Sequence, residues 1–152
     1  MKTLRVYLDT SVIGGCFDEE FEEASNKLIE EIRLGLKIGV VSEIFFKEIE
    51  GAPHKVKELL DEIKEKLEIV ELTEEVDALG KKYLENKIVT KKYSADAAHI
   101  AYATVHNVDV VVSWNFKHIV NLNKIIQFNS VNVSNGYKNL LIYTPQEVIS
   151  NE

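Results

Sequence analysis

Short apolar runs alternate along this chain with segments of helical periodicity, and this alternation limits its fold more than any other feature. The apolar runs lie at residues 4–8, 38–42, 68–72, 108–113 and 140–144. Apolar spacing and capping residues predict helices at 19–34, 42–50, 54–67, 73–86 and 94–107, and a helix followed by a loop at 121–139. Strands that alternate with helices form βαβ units, whose parallel sheet is covered on both faces. The sequence therefore predicts an α/β fold, a three-layer α/β/α sandwich with a central, mostly parallel sheet of about five strands.

No linker divides the chain. Its 152 residues contain no low-complexity tract, internal repeat or Pro/Gly-rich segment, which predicts one domain over residues 1–152. No apolar run approaches the ~20 residues of a membrane span, and Asp9 interrupts the first run where a signal peptide would continue. A single cysteine, Cys16, excludes an internal disulfide and fits a reducing compartment. We expect a cytoplasmic protein with no membrane partner.

The charge is negative overall but uneven along the chain. A net charge of −7 argues against a protein that coats nucleic acid through bulk electrostatics. The segment 81–99 nevertheless carries five lysines against Glu85 and Asp96. Such a strip can engage one phosphate chain within an acidic molecule, or it can be a solvated helix surface, and the sequence leaves both interpretations open.

Polar residues stand where the first and fourth predicted strands end. Asp9 follows the first strand in "VYLDTSVIGG", and Asn115 closes the fourth in "SWN". Because parallel strands place their carboxyl ends at one edge, where open α/β sheets hold their ligands, we expect these two residues to lie close together. Asp109 opens the fourth strand and therefore belongs at the opposite edge.

Two further carboxylates come from predicted helices. Glu48 falls within the apolar stripe of the helix after Ser42, and Asp96 lies in the first turn of a helix whose N-cap we predict to be Ser94. A lone carboxylate is costly to bury unless it has a partner or a cation. Local roles remain open for each group: a cap or turn for Asp9 and Asn115, an ion pair for Glu48, and the helix dipole for Asp96.

Gathered at one edge, these carboxylates would repel one another and stay ionised only around divalent cations. Oxygen ligands favour Mg²⁺ or Mn²⁺ over zinc, and the four histidines show no zinc-motif spacing. His99 lies one helical turn beyond Asp96, so it is either a neighbour of the site or a packed core residue. His118 could contact phosphate or lie on the surface.

Taken in order, "YLDTSVI", "SEIFFKEIEG", "SADAAHIAYA", "VDVVVSWNFKHI" and "IYTPQEVI" resemble the PIN-domain family over essentially the whole chain. The resemblance implies an α/β/α ribonuclease that depends on Mg²⁺ or Mn²⁺. It also implies a toxin of the toxin–antitoxin type that is neutralised by a small antitoxin protein and forms a homodimer. RNA would be the substrate, cut to 5′-phosphate and 3′-hydroxyl ends.

The resemblance also assigns roles by position. Asp9, Glu48 and Asp96 match the family's metal-binding acids, and Asn115 stands where many members have a fourth catalytic Asp. Thr10 or Ser11 matches the hydroxyl beside the first Asp. We add, as expected contacts to the RNA backbone, four residues near the site: Lys91, Lys92, Lys117 and His118.

Two other functions compete with this one. A catalytically degenerate PIN-like binding or assembly module would keep the fold, and Asn115 in place of an acid favours it. A phosphatase of the haloacid-dehalogenase type needs a second Asp two residues after the first, where this chain has Ser11. Gly-rich nucleotide-binding loops are missing from the sequence.

Overall fold

Five strands form one parallel sheet in the computed structural model, which describes residues 2–150. The strands are β1 (Arg5–Leu8), β2 (Ile38–Ser42), β3 (Leu67–Val70), β4 (Val110–Val112) and β5 (Leu141–Tyr143). Their order across the sheet is β3-β2-β1-β4-β5. The predicted α/β fold is confirmed, and all the described pairings are parallel.

Helices connect the strands, as crossovers between parallel strands require. They are α1 (Thr10–Gly15), α2 (Glu22–Arg33), α3 (Glu43–Ile49), α4 (His54–Ile63), α5 (Glu74–Glu85), α6 (Ser94–Val105), α7 (Leu122–Ser134) and α8 (Pro145–Val148). Short 3₁₀ turns span Lys64–Lys66 and Lys91–Tyr93. Among residues 2–150, no helix has the length and apolar character needed to cross a membrane.

The alternation of side chains along each strand divides the core into two layers. Tyr7, Val111 and Ile142 point to the face covered by α5, α6 and α7. Val6, Leu8 and other alternate residues point to the face covered by α1, α2 and α4. This arrangement is the predicted α/β/α sandwich.

The elements predicted from the sequence are present, but one helix cap differs and two short helices are added. Thr73 caps α5 as predicted, since its hydroxyl accepts a hydrogen bond from the Val76 amide at 3.2 Å. The prediction that Ser94 caps α6 is wrong: the preceding 3₁₀ turn continues into the helix, so Ser94 is already helical and Tyr93 holds the cap position. The short helices α1 and α8 were not predicted, because neither is long enough to show an apolar period.

The two ends of the sheet differ as the sequence indicates. At the amino end, the Asp109 carboxylate accepts hydrogen bonds from the Arg5 amide at 2.8 Å and from the Lys2 ammonium at 2.7 Å. These contacts confirm that Asp109 lies away from the carboxyl edge, where Asp9 ends β1. The acidic residues predicted to form a site therefore belong to the carboxyl edge.

Candidate metal centre

A cleft opens at the carboxyl edge of β1 and β4. The sequence-predicted residues that line it are Asp9, Thr10, Ser11, Glu48, Asp96 and Asn115. They come from the end of β1, from α1, α3 and α6, and from the loop after β4. The fold thus brings together the four residues that sequence reasoning placed at one edge.

Asp9 is buried at the base of the cleft, with 4% of its surface exposed. One carboxylate oxygen, Oδ2, accepts hydrogen bonds of 2.7 Å from the hydroxyls of both Ser11 and Ser113. The other oxygen, Oδ1, lies 3.5 Å from Nε2 of His99. The two serines therefore fix the carboxylate and leave Oδ1 directed toward the cleft.

His99 is fully buried beside Asp9 and links the core to the cleft. Its Nδ1 is 2.6 Å from the Tyr7 hydroxyl, which is hydrogen-bonded in turn to Ser42 at 2.7 Å. Its Nε2 lies 2.5 Å from Oε1 of Glu48. Burial disfavours the imidazolium, but the Glu48 hydrogen bond and the charges of Asp9, Glu48 and Asp96 outweigh it and raise the pKa of His99.

Glu48 closes the cleft from α3. Its side chain is 32% exposed and contacts the buried His99, so it lies at the rim of the cleft, in a pairing of the kind left open for it by the sequence. Within residues 2–150, Asp9, Glu48 and His99 form a group in which one ligand atom from each lies within 4.8 Å of the others. Two carboxylates and an imidazole suit a divalent cation, and the imidazole broadens the choice beyond Mg²⁺ toward Mn²⁺ or zinc.

Asp96 lines the same cleft but lies outside that three-residue group. Its Oδ2 is 2.9 Å from Nδ1 of His118, and its side chain is 15% exposed. Burial, followed by the negative charge of Asp9, raises the pKa of Asp96, although His118 and His99 oppose the shift. Without a cation, the ionised form of Asp96 is thus a cost to the folded state.

We expect Asp96→Asn to raise the melting temperature of the metal-free protein at neutral pH. When the pKa of a carboxyl is raised in the folded state, the free energy of unfolding falls as the pH rises through that pKa. Asn mimics the neutral form of the carboxyl and avoids this loss. The gain should shrink as the pH falls toward the pKa of the carboxyl. Thermal unfolding in EDTA measures it, with Asp61→Asn on the exposed face of α4 as the control. An unchanged or lower melting temperature for Asp96→Asn would contradict the prediction.

Asn115 holds the loop after β4 in shape. Its side-chain oxygen accepts hydrogen bonds from the backbone amides of Lys117 at 3.2 Å and His118 at 2.9 Å. The backbone amide of Asn115 donates to the Ser113 hydroxyl at 2.9 Å. Asn115 therefore has the turn role that was one of its interpretations from the sequence, and it also lines the cleft.

The residues predicted to contact RNA divide into two groups. Thr10 and Ser11 face the cleft, where the Thr10 hydroxyl donates to Glu48 at 3.4 Å. The other residues lie outside it, around or near the ring of Tyr93, and are Lys91, Lys92, Lys117 and His118. The ammonium groups of two of these lysines are each 5.5 Å from the Tyr93 ring centre.

His118 is not the surface residue that was one of its two sequence interpretations, and its contact with phosphate stays a prediction. It is buried, with 9% of its surface exposed, and not on the surface. Its ring lies 4.0 Å from that of Tyr93 while it holds Asp96. It therefore connects the acidic cleft to the lysines around Tyr93.

The sequence left His99 open between a neighbour of the site and a core residue, and Ser113 was not among the predicted site residues. For His99, a signal existed in its position one helical turn after Asp96, on the face that packs against the sheet. For Ser113, the strand end beside Asp9 was the available signal. Cys16 is buried, and burial raises the pKa of its thiol to about 12, so it is unsuited to act as a nucleophile.

The parallel sheet and the acidic cleft define an α/β/α domain with a candidate cation site at its carboxyl edge. The chain belongs to the PIN domain family, whose model matches residues 6–117. The match spans β1 to the loop after β4, which together supply all the cleft residues named above.

Two solved structures share the fold. The structure of VapBC2 from Rickettsia felis bound to a DNA fragment from their promoter has a TM-score of 0.58 and 16% identity, covering 91% of this chain and 97% of the matched one. FitAcB from Neisseria gonorrhoeae has a TM-score of 0.59 and 17% identity, covering 94% and 99%. Comparison with curated proteins gives no match.

Proposed function

We propose that this protein is a metal-dependent ribonuclease, the toxin component of a toxin–antitoxin pair. The observation that carries the proposal is the convergence of Asp9, Glu48 and Asp96 on one cleft of a PIN domain. Such a gathering of negative charge is stable without a cation only when part of it is neutralised. In this chain the raised pKa of His99 favours an imidazolium beside Glu48 and Asp9, and His118 is hydrogen-bonded to Asp96.

The donor set fits a divalent cation. Asp9 offers Oδ1, because its other oxygen is held by two serine hydroxyls. Glu48 and His99 offer atoms close to it. The hydrogen bond between Nδ1 of His99 and the Tyr7 hydroxyl fixes the imidazole ring, as the partners of ligating histidines commonly do. We propose Mg²⁺ or Mn²⁺ as the cofactor, held by Asp9, Glu48 and Asp96, with His99 as a fourth ligand or a direct neighbour.

When bound, a divalent cation would activate water and stabilise the charge that develops on a phosphodiester. The side chains prepare this chemistry by their placement. Ser11 and Ser113 orient Asp9, His118 orients Asp96, and Asn115 shapes the loop that carries His118. Because a ligand must lose its proton before it binds metal, the raised pKa of His99 predicts tighter cation binding as the pH rises.

RNA is the proposed substrate because lysine ammonium groups lie beside the acidic cleft, although the chain as a whole is negatively charged. Lys92 and Lys117 both present ammonium groups near Tyr93, and His118 joins that ring to Asp96. A phosphate chain that passes over these lysines would reach the carboxylates. We propose Lys91, Lys92, Lys117 and His118 as its contacts, together with Thr10 and Ser11 in the cleft.

We further propose a small antitoxin protein as partner and a homodimer as the assembly. The family resemblance implies both. The fold likeness to VapBC2, whose structure contains a fragment of promoter DNA, supports a toxin that works together with a regulatory partner.

The test is cleavage of labelled RNA by the native chain in metal-stripped buffer to which Mg²⁺ or Mn²⁺ is added. We expect cleavage that requires the cation, stops in EDTA and leaves 5′-phosphate and 3′-hydroxyl ends. Cleavage by the chain that survives EDTA would contradict the metal-dependent mechanism.

A catalytically degenerate binding module is the second candidate, and the position of Asn115 favours it. Its side-chain oxygen is committed to two backbone amides, so this position supplies no carboxylate to the cleft. This alternative predicts cation binding without cleavage of any RNA tested. An Asn115→Asp variant that gains cleavage would identify the missing acid as the reason.

A further inference from the structure

Three aromatic side chains lie together beside the cleft, and nothing in the metal site uses them. Phe21 and Trp114 are stacked with ring centres 4.3 Å apart and planes 19° from parallel. Phe116 leans on both rings, at 6.3 Å from each. We call Phe21, Trp114 and Phe116 the aromatic cluster.

Trp114 is fixed within this cluster. Its indole Nε1 donates to Ser25 at 2.8 Å, and a Cβ on Gly15 would come within 2.8 Å of the same atom. Only glycine at position 15 lets the indole pack so closely. The cluster therefore has a rigid base, against which a further ring can stack at little entropic cost.

Phe116 is the exposed member of the cluster. Half of its surface, 50%, is open to solvent, although an aromatic ring of this size is usually placed in the core or at a binding surface. Its chain neighbour Asn115 lines the cleft. The exposed ring is thus held at the border of the candidate metal site.

The loop after β4, which carries Phe116, contacts both the candidate metal site and the lysines near Tyr93. The Trp114 amide donates to Ser11 at 2.9 Å, and Ser11 donates to Asp9 at 2.7 Å. Lys117 follows Phe116 directly, with its ammonium over Tyr93. An aromatic surface next to cations that can follow a phosphate chain is the combination that binds single-stranded nucleic acid.

We propose that the aromatic cluster, through Phe116, stacks an unpaired base of RNA whose backbone passes over Lys117 toward the cleft. This inference rests on the proposed function and adds one contact to it: the exposed ring of Phe116 takes an unpaired base. In a duplex the bases stack on one another, so their faces are closed to Phe116. Stacking of this kind accepts any base, so the cluster selects unpaired RNA without reading its sequence.

The chain supplies its own probe, because Trp114 is its one tryptophan. We would titrate the full chain in EDTA, where cleavage is blocked, with a short unstructured RNA and record tryptophan fluorescence. A saturable change in emission is expected with the single strand and a far weaker one with a duplex of equal length. No change with the single strand at concentrations that fully occupy the protein by anisotropy would overturn the proposal.

Phe116→Ala should weaken binding of the single strand by about 5- to 150-fold, the range found for removal of one stacking aromatic. Phe116→Tyr should keep the affinity, since it retains the ring. The matched control is Leu36→Ala, which removes an exposed apolar side chain that precedes β2, away from the carboxyl edge. Circular dichroism would establish that all variants are folded.

The outcomes separate this inference from the ribonuclease proposal. A chain that cuts RNA while Phe116→Ala binds it unchanged overturns the stacking role alone. A chain that binds single strands through Phe116 but cuts none keeps the stacking role and overturns the nuclease. Should Phe116→Ala weaken binding of a protein partner and leave RNA binding unchanged, the cluster is a protein interface and the proposal is wrong.

Discussion

Asp9→Asn is expected to abolish Mn²⁺ binding and to reduce RNA cleavage by at least about 100-fold. Loss of a residue that merely supports a metal ligand typically costs 10- to 100-fold, and Asp9 is placed as a ligand itself. It is buried, with one carboxylate oxygen held by Ser11 and Ser113 and the other beside His99. Calorimetric titration of Mn²⁺ and a cleavage assay measure the two effects.

The control for this substitution is Asp61→Asn, which makes the same chemical change on the exposed face of α4. It should leave both cation binding and cleavage unchanged. If Asp9→Asn still binds Mn²⁺ with native affinity, then the cation site lies elsewhere. If it loses the cation but cuts RNA at the native rate, the metal has no part in catalysis.

Phe128→Ala should lower the free energy of unfolding by about 3–5 kcal/mol, the usual cost of removing a fully buried phenylalanine. The ring is completely enclosed in the layer of core beneath α7 and meets the edge of Tyr83 at 4.9 Å. Urea denaturation followed by circular dichroism measures the loss.

Ile126→Ala tests the same helix on its exposed side, where Ile126 is 58% exposed. Surface substitutions of this kind usually change stability by no more than about 0.5 kcal/mol. Similar losses for both variants would mean that Phe128 does not pack as described, or that the outer face of α7 is covered in the native assembly.

Much of the fold could be predicted from the sequence, because strands that are buried on both faces consist of short apolar runs. "IGVVS" is the clearest example, since all but its first residue are buried in β2. Asp9 and Asn115 could be placed at one edge by direction alone, because all parallel strands end on the same side. Glu48 and Asp96 followed from helical spacing with less precision.

The contacts within the site could not be predicted, because they join side chains that are far apart in the sequence. His99 sits in a helix of small apolar residues and looks like a core histidine, and it is one; its contact with Glu48 arises from the packing of α6 against α3. The role of Asn115 could not be decided from the sequence either, because an amide oxygen can accept hydrogen bonds from backbone amides or bind a cation, and only the structure shows the first. The helix α1 is six residues long, too short for an apolar period.

The strand order also determines when the cleft can exist during synthesis. β1 is made first, yet it lies at the centre of the sheet, between β2 and β4. Ser113, which holds the Asp9 carboxylate, follows it by 104 residues. A chain that ends before β4 therefore lacks one of the two hydroxyls that hold the Asp9 carboxylate, and one edge of its β1 has no partner strand.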